Sequence, residues 1–209
     1  MLSLDHIVIS GKNLNTASEK CEDILTIKGG EHENWGTHNY LAYFANGSYL
    51  EWLGVNNKTV AHQSENPLIH HLIYLLDSGR EEAFQFALQA DIDKFVTHFK
   101  QEKVNYIGPI AGRRTKPDGE TLTWRMLFPK YDFTKETLPF LIEWDQSEEE
   151  RVDASIVNNK SIKTIHFGGT TIERFAQIYQ VNQRENNRII LENAEIHFNK
   201  TEKFHFEIE

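Results

Sequence analysis

One acidic residue, Glu51, stands in a segment whose alternation favours a β-hairpin. A two-residue type I′ turn at Asn46-Gly47 places Ala42 directly opposite Glu51. Tyr40 and Tyr49 then share the face of the carboxylate. An acid above a small residue, with a phenol on each side, leaves room for a ligand. The alternative is the solvated face of a hairpin.

A second predicted hairpin carries two arginines, Arg114 and Arg125. A turn at Asp118-Gly119 places Arg114 opposite Thr123 and, further along, Arg125 opposite Gly112. Both guanidinium groups then lie diagonally on one face of the hairpin. Each offers a forked donor that suits a carboxylate or a phosphate. The alternative is a pair of surface arginines neutralised by neighbouring acids.

Histidines occur in two settings. His6 lies inside an apolar strand, where a lone histidine can equally be a hydrogen-bonded core residue. His197 and His205 alternate with Glu195 and Glu207 on the last strands, a pattern typical of a solvated sheet face.

The elements that must position these residues follow a recurring order. Leu4–Ile9 predicts a strand, and the capping-box pattern Thr16–Glu19 predicts a helix that includes Cys21 and reaches Leu25. The first hairpin comes next. Asn66-Pro67 then predicts the start of a connecting helix.

The order strand, helix, hairpin then recurs. Ala83–Leu88 is a predicted strand, Asp91 an N-cap, and Leu138–Trp144 a closing strand. Both units end on Glu-Trp, at Glu51-Trp52 and Glu143-Trp144, which indicates an internal duplication.

The C-terminal segment indicates a shortened third copy, with a strand at Ile162–Phe167 and a helix capped near Thr170. The sequence therefore predicts an α+β fold of tandem βαβββ modules plus a partial third module. The predicted units are a first module at 1–60, a connecting helix within 61–80, a second module at 81–147 and a C-terminal partial module at 154–209.

Composition narrows the functional classes. The 209 residues carry 22 basic and 31 acidic side chains, a net charge of -9, which argues against nucleic acid or an anionic membrane as partner. No stretch approaches the ~20 apolar residues of a membrane span. The N-terminus lacks the features of a signal peptide, and the single cysteine allows neither an internal disulfide nor a cysteine-built zinc site. A cytoplasmic protein is expected.

Several of these motifs together resemble the vicinal oxygen chelate superfamily, and more narrowly its glyoxalase-like-domain branch. The residues that carry the resemblance are Leu4–Ile9, Gly36–Leu41, Tyr49–Glu51, Gly112–Arg114, Pro117–Gly119, Leu122–Arg125 and Leu138–Asp145. The resemblance implies paired modules whose sheets curve around a central cleft.

In the metal enzymes of that superfamily the cleft holds one divalent ion. Carried over by position, the resemblance implies His6, Glu51, Gln85 and Glu143 as ligands. Nitrogen and oxygen donors suit zinc, nickel, manganese or iron. An amide such as that of Gln85 is a poorer ligand than a second imidazole, and the absence of an evident second histidine disfavours iron-dependent dioxygenase chemistry.

Two functions remain open. The first is a metal-dependent lyase or isomerase of glyoxalase type, acting through an enediolate with Glu51 or Glu143 as general base. Its predicted substrate-binding residues are Arg114, Arg125, Tyr40, Trp124 and Asn39. Trp52 is a further candidate for the wall of the cleft. The second is a metal-free protein that binds or sequesters a small molecule in the same cleft. A homodimer is an option, although two modules in one chain can complete a cleft unaided.

Overall fold

Strands make up most of the regular structure. The computed structural model describes residues 2–15, 23–116, 118–181, 184–199 and 204–209. The strands are β1 (Ser3–Ser10), β2 (Ile27–His32), β3 (Thr37–Phe44), β4 (Tyr49–Val55), β5 (Ala83–Gln89), β6 (Tyr106–Thr115), β7 (Thr121–Pro129), β8 (Phe140–Trp144), β9 (Val157–Asn158), β10 (Ile162–Phe167), β11 (Arg184–Glu185), β12 (Arg188–Ile190), β13 (Glu195–Phe198) and β14 (Phe204–Ile208).

The helices are α1 (Lys58–Gln63), α2 (Pro67–Asp77), α3 (Ile92–Gln101), α4 (Glu148–Arg151) and α5 (Ile172–Tyr179), with 3-10 turns at Glu33–Trp35 and Ala154–Ile156. None of the described helices is long and apolar enough to cross a membrane. Residues 16–22, which hold most of the helix predicted after β1 together with Cys21, lie outside the described residues. Leu25, predicted on the apolar stripe of that helix, is not helical and is half exposed.

The first two modules have the same strand topology. β1 runs parallel to β4, and β3 and β2 follow as antiparallel neighbours. In the second module β5 runs parallel to β8, with β7 and β6 following in the same order. The tandem βαβββ arrangement predicted from the sequence is confirmed.

The two modules join into one closed sheet. β1 pairs with β5 in antiparallel register, and β2 pairs with β6 at Glu31 and Thr115. Since β2 also pairs with β3, the eight strands form a closed, barrel-like layer. Closure leaves an inner face that can enclose a ligand and an outer face that must pack against something else.

The C-terminal segment repeats the module on a smaller scale. β10 runs parallel to β13, β12 is antiparallel to β13, and α5 follows β10. β14 then pairs antiparallel with β10, just as β5 pairs with β1. One face of this five-stranded sheet packs on the outer face of the main sheet, where Phe86 meets Phe167 at 5.1 Å between ring centroids.

Helix starts follow the capping signals in the sequence. The Asn66 side chain accepts a hydrogen bond from Leu68 N, and Pro67 occupies the first helical position of α2. The Asp91 side chain caps α3 through Lys94 N. Leu68, Ile69 and other apolar residues of α2 pack with inner-face residues of the main sheet.

Asn193 joins three parts of the chain through its side-chain amide. Its Oδ1 accepts from Leu4 N at 2.8 Å, and its Nδ2 donates to Leu4 O at 2.9 Å and to Asn46 O at 3.0 Å. Asn46 Nδ2 in turn donates to Ile162 O at 2.9 Å. The Asn193 side chain thus hydrogen-bonds the backbone of Leu4 as a neighbouring strand would. Together with Asn46 it links the third module to the first.

We expect Asn193→Ala to lower the free energy of unfolding by about 2–3 kcal/mol, because it leaves part-buried backbone groups of Leu4 and Asn46 without partners. Chemical denaturation measures the change. The matched control is Asn105→Ala at an exposed position, which should change the stability by less than about 0.5 kcal/mol. Equal effects of the two substitutions would contradict the role assigned to Asn193.

Candidate functional site

The inner face of the closed sheet carries a small cavity, with about 410 Å³ of non-atom space that includes open solvent. Strands of both modules contribute to its walls, and α2 covers part of it through Leu68 and Ile69. Its lining combines aromatic side chains with a few buried polar groups. The polar groups belong to His6, His32, Asn39, Glu51 and Arg114.

Glu51 faces this cavity, but its neighbours differ from the prediction. The connection after β3 has three residues, 45–47, because Phe44 rather than Ala45 pairs with Ser48. Leu41 therefore lies opposite Glu51, whereas Ala42 lies opposite Leu50. The predicted register was wrong by one residue, and a shift of one residue exchanges the two faces of a strand.

This shift brings Asn39 into the site and removes Tyr40 from it. Asn39 Nδ2 donates to Glu51 Oε1 at 2.6 Å, and Asn39 Oδ1 accepts from Gly30 N at 2.9 Å. The Asn39 side chain thus holds one carboxylate oxygen of Glu51. Tyr40 lies outside the cavity and donates to Asn15. Trp52 also packs in the outer core.

An acid and an imidazole stand beside Glu51. His6 Nδ1 lies 2.6 Å from Asp5 Oδ1, and His6 Nε2 lies 3.6 Å from Glu51 Oε2. Trp144 Nε1 donates to the other Asp5 oxygen at 2.9 Å. Burial alone would raise the pKa of Asp5, but the hydrogen bond and charge of His6, with the more distant Arg151, lower it. Asp5 is therefore an anion that orients the His6 ring.

Arg114 is the buried cation of the cavity, with 4 % of its surface exposed. Among the described residues its one hydrogen bond is a long one, from Nη2 to the Tyr43 hydroxyl at 3.5 Å, and its buried Nε has no partner. Burial lowers the pKa of this guanidinium, yet the nearby Tyr43, Tyr49 and Glu51 raise it above its ordinary value. The side chain stays charged.

Arg125, predicted on the same face as Arg114, lies on the opposite face. Lys116 pairs with Glu120, so this connection also has three residues, and Arg114 lies opposite Leu122 rather than Thr123. Gly112 consequently lies opposite Trp124 rather than Arg125. A Cβ at Gly112 would come within 2.3 Å of the indole, so glycine is what lets Trp124 turn into the cavity wall.

Glu143 also lies on the outer face, where it pairs with Arg125. Arg125 Nε donates to Glu143 Oε2 at 3.1 Å, and its Nη atoms reach Asp93 of α3 at 3.1 and 3.2 Å. Side-chain hydrogen bonds to Asp93 and Glu143 raise the pKa of Arg125 further. The pair forms a partly exposed ion-pair network away from the cavity.

Gln85 is buried in the wall, with its amide fully engaged. Its Nε2 donates to the Tyr131 hydroxyl at 2.7 Å and to Leu138 O at 3.0 Å, and its Oε1 accepts from Phe86 N at 2.9 Å. Strict alternation is interrupted along β5, since Phe84 packs with the apolar residues of the inner face and Phe86 with those of the outer face.

The four metal ligands implied by the resemblance are therefore not brought together. His6 and Glu51 share the cavity, whereas Gln85 and Glu143 are bonded elsewhere. In the part of the chain that the structure describes, no group of three or more His, Cys, Asp or Glu side chains is arranged to hold a metal ion. The predicted donor set does not fit a single divalent ion in this arrangement.

Sequence reasoning missed the Asp5 carboxylate that is bonded to His6 and, among the lining residues, His32, Trp35 and Trp144. A register shift between β1 and β5 falls at Leu4/His6, so strict alternation could not place Asp5. Burial lowers the pKa of His32 to about 4, which keeps its ring neutral at physiological pH. Trp35 and Trp144 each pack against Trp124, at 6.0 and 4.9 Å between ring centroids.

Two solved structures are similar to this chain, and the first of them shares its fold. A crystal structure of a hypothetical protein from Staphylococcus aureus matches with a TM-score of 0.83 and 22% identity, covering 100% of this chain and 91% of that one. Streptomyces coelicolor methylmalonyl-CoA epimerase, in complex with 2-nitronate-propionyl-CoA, matches with a TM-score of 0.47 and 18% identity, covering 67% of this chain and 92% of that one. No functionally curated protein matches the sequence.

The sequence profile of the glyoxalase-like domain matches residues 4–181, most of the chain. This match spans the closed sheet and the first half of the third module. The protein belongs to the glyoxalase-like domain family.

Proposed function

We propose that the cavity binds a small oxygen-rich molecule through a carboxylate group placed on Arg114. The observation that carries the proposal is a buried guanidinium that faces the cavity and makes one long hydrogen bond. An uncompensated buried charge is costly, and a ligand carboxylate can accept two parallel hydrogen bonds from a guanidinium. An anionic ligand would therefore gain more from this side chain than a neutral one.

The rest of the lining supports a small ligand with a flat or apolar body. Trp124, Trp144 and Trp35 provide aromatic walls. Neutral His32 is hydrogen-bonded to Thr37 Oγ1 through Nδ1 and leaves only Nε2 for a ligand, without adding charge. The cavity volume suits a molecule of few atoms.

Glu51 and His6 supply the second half of the proposal, which is proton transfer. The Glu51 carboxylate is held by Asn39 on one oxygen and lies beside His6 Nε2 on the other. Glu51 can take a proton from a carbon next to a carbonyl and so becomes a carboxylic acid. His6, whose Nδ1–H is directed at Asp5, can accept that proton on Nε2 from Glu51 and pass it to the oxygen of the resulting enolate. Such a step corresponds to isomerase or lyase chemistry of enediolate type, with no role for Glu143, Arg125 or Gln85.

The second candidate function is binding or sequestration of the same class of molecule without catalysis. Asn39 Nδ2 donates to one Glu51 oxygen and His6 lies beside the other, so the carboxylate already has protein neighbours that hold it without a ligand. The two functions share Arg114 and differ in whether Glu51 accepts a proton from the ligand.

Binding is tested by Arg114→Met against the matched variant Arg125→Met on the outer face. Isothermal titration with lactate, pyruvate, benzoate and inorganic phosphate measures the affinities. We expect at least one carboxylate to bind the parent protein, with an affinity about 30-fold or more lower in Arg114→Met, because the anion loses its buried partner.

The Arg125→Met protein should bind as the parent does. The stability of ligand-free Arg114→Met should not fall, since the substitution removes a buried charge that has no ion-pair partner among the described residues. Equal affinities of both variants and parent would contradict the proposed anion site.

Proton transfer is tested by Glu51→Gln, in which the amide oxygen can still accept from Asn39. In D₂O, proton NMR follows exchange of the methyl protons of pyruvate, or of the α-proton of whichever carboxylate binds. We expect exchange to slow by about 10²–10⁴-fold in Glu51→Gln, because the general base is lost while Arg114 still binds the anion.

Glu143→Gln is the control for this experiment and should exchange at the parental rate. If the parent protein binds carboxylates without promoting exchange, the second candidate function is the correct one.

A further inference from the structure

A second crevice lies where α2, the first residues of β5, the segment 133–137 and the loop after β10 meet. It shares no lining residue with the main cavity. Aromatic rings form much of its lining, charged side chains stand among them, and the imidazole of His71 lies in its wall. We refer to it as the His71 crevice. Its aromatic residues are Tyr74, Phe84, Phe133 and Phe204.

Contacts between the second and third modules fix the walls of the His71 crevice. Glu136 accepts hydrogen bonds from Thr170 Oγ1 at 2.6 Å and from Arg174 Nη2 at 3.0 Å. The backbone continues this contact, since Thr137 N donates to Gly169 O at 2.9 Å. The crevice is therefore built jointly by α2 and by two modules that are held together beside it.

His71 is a buried polar side chain without a hydrogen-bond partner among the described residues. It is 8% exposed, and its ring stacks on Phe133 at 4.8 Å and meets the edge of Phe84 at 4.9 Å between ring centroids. Its Nδ1 is buried and unpartnered, which leaves Nε2 as the nitrogen that is open to the crevice. A buried polar group without a partner costs free energy.

The other buried histidines of the described chain do not share this property. His6, His32 and His98 are all hydrogen-bonded; the Nδ1 of His98, for example, lies 2.7 Å from Gln180 Nε2. A phenylalanine in place of His71 would pack among the same aromatic rings without leaving a nitrogen unpartnered. The exception at His71 therefore points to a ligand that supplies the missing partner.

The charges near His71 favour an anion as that ligand. Burial lowers the pKa of His71 to about 4, the charge of Arg80 lowers it further, and the charge of Glu82 raises it by less than Arg80 lowers it. The ring is therefore neutral at physiological pH and has one N–H to donate. Although Arg80 and Glu82 are bonded to each other, their joint effect at the imidazole is that of a positive charge.

We propose that the His71 crevice binds a small planar aromatic acid, whose carboxylate accepts a hydrogen bond from His71 Nε2–H and whose ring lies against the aromatic lining. A hydrogen bond to a carboxylate is stronger than one between neutral groups. Tyr74 and Phe133, with 5.2 Å between their ring centroids, offer the ring an aromatic surface. Tyr74 is 42% exposed and would be covered by the ligand. The site does not rest on the function proposed for the main cavity.

The test is isothermal titration with 2-naphthoate, an aromatic acid larger than the main cavity suits. Four proteins are compared: the parent, His71→Phe, Arg114→Met and the surface control His62→Phe. We expect the parent, Arg114→Met and His62→Phe to bind one equivalent with equal affinity. His71→Phe should bind at least about tenfold more weakly, because a hydrogen bond to a charged group is lost.

Two matched probes test the chemistry of the ligand in the parent protein. Cyclohexanecarboxylate keeps the acid without an aromatic ring, and 2-naphthalenemethanol keeps the ring without the charge. Both should bind more weakly than 2-naphthoate. Equal or tighter binding of the alcohol would overturn the assignment of an anionic ligand.

Ligand-free His71→Phe should melt at or above the parental temperature, because the substitution keeps the stacking on Phe133 and removes unpartnered nitrogens. In the parent, the ring ¹⁵N resonances of His71, assigned by their loss in His71→Phe, should shift when 2-naphthoate saturates the protein.

No binding of 2-naphthoate by the parent, or equal binding by all four proteins, would overturn the proposal. Loss of binding in Arg114→Met with retention in His71→Phe would overturn it too, because the acid would then occupy the main cavity. A lower melting temperature of His71→Phe would contradict it as well, since the imidazole would then stabilise the fold itself.

Discussion

Strand β1 is the element on which the architecture depends, because it is hydrogen-bonded on both sides. Its parallel pairing with β4 completes the first module, and its antiparallel pairing with β5 joins the first module to the second. Both pairings must be satisfied together, since an unpaired edge inside the closed sheet would leave buried backbone groups without partners. The two register shifts against β5 show how the strand fits both neighbours. One of these shifts falls beside His6, which β1 contributes to the cavity, and beside Asp5, which is hydrogen-bonded to His6.

The charges inside the closed sheet are unevenly compensated. Asp5 is bonded to His6 and Trp144, and Arg151 lies over the Trp144 ring at 4.5 Å from its centroid. Glu51 has Asn39 and His6 as neighbours. Arg114 has no comparable partner among the described residues. The acidic side chains Asp5 and Glu51 therefore have polar neighbours inside the sheet, whereas the Arg114 guanidinium has no anionic hydrogen-bond partner among the described residues. This difference underlies the function proposed for the cavity.

The third module repeats the topology of the first two on a smaller scale. In all three modules one sheet face packs in the shared core, through residues such as Leu50, Phe86 and Phe167. In the first two modules the other faces meet around a cavity. In the third, that face remains open and carries paired histidines and glutamates.

The sequence by itself determined the elements and their order. Local signals fixed them: Asn66 and Pro67 begin α2, Asp91 begins α3, and the repeated strand-helix-hairpin order predicted the tandem modules. It also identified Glu51, Asn39, His6, Arg114 and Trp124, all of which line the cavity. The roles of these residues stay proposals.

Only the tertiary structure decided which side chains face inward. Turn residues such as Asn46-Gly47 fit a two-residue or a three-residue connection equally well, and the difference moves a strand by one position. In the first hairpin this shift turned Asn39 inward and Tyr40 outward. In the second hairpin the same shift placed Arg114 and Arg125 on opposite faces. The register shift at Asp5 and the engagement of Gln85 depend on β5 and on Tyr131, which are distant in sequence. Local patterns specify that side chains alternate along a strand. Which of the two alternating sets faces the cavity is decided by the pairing of that strand with its neighbours in the sheet.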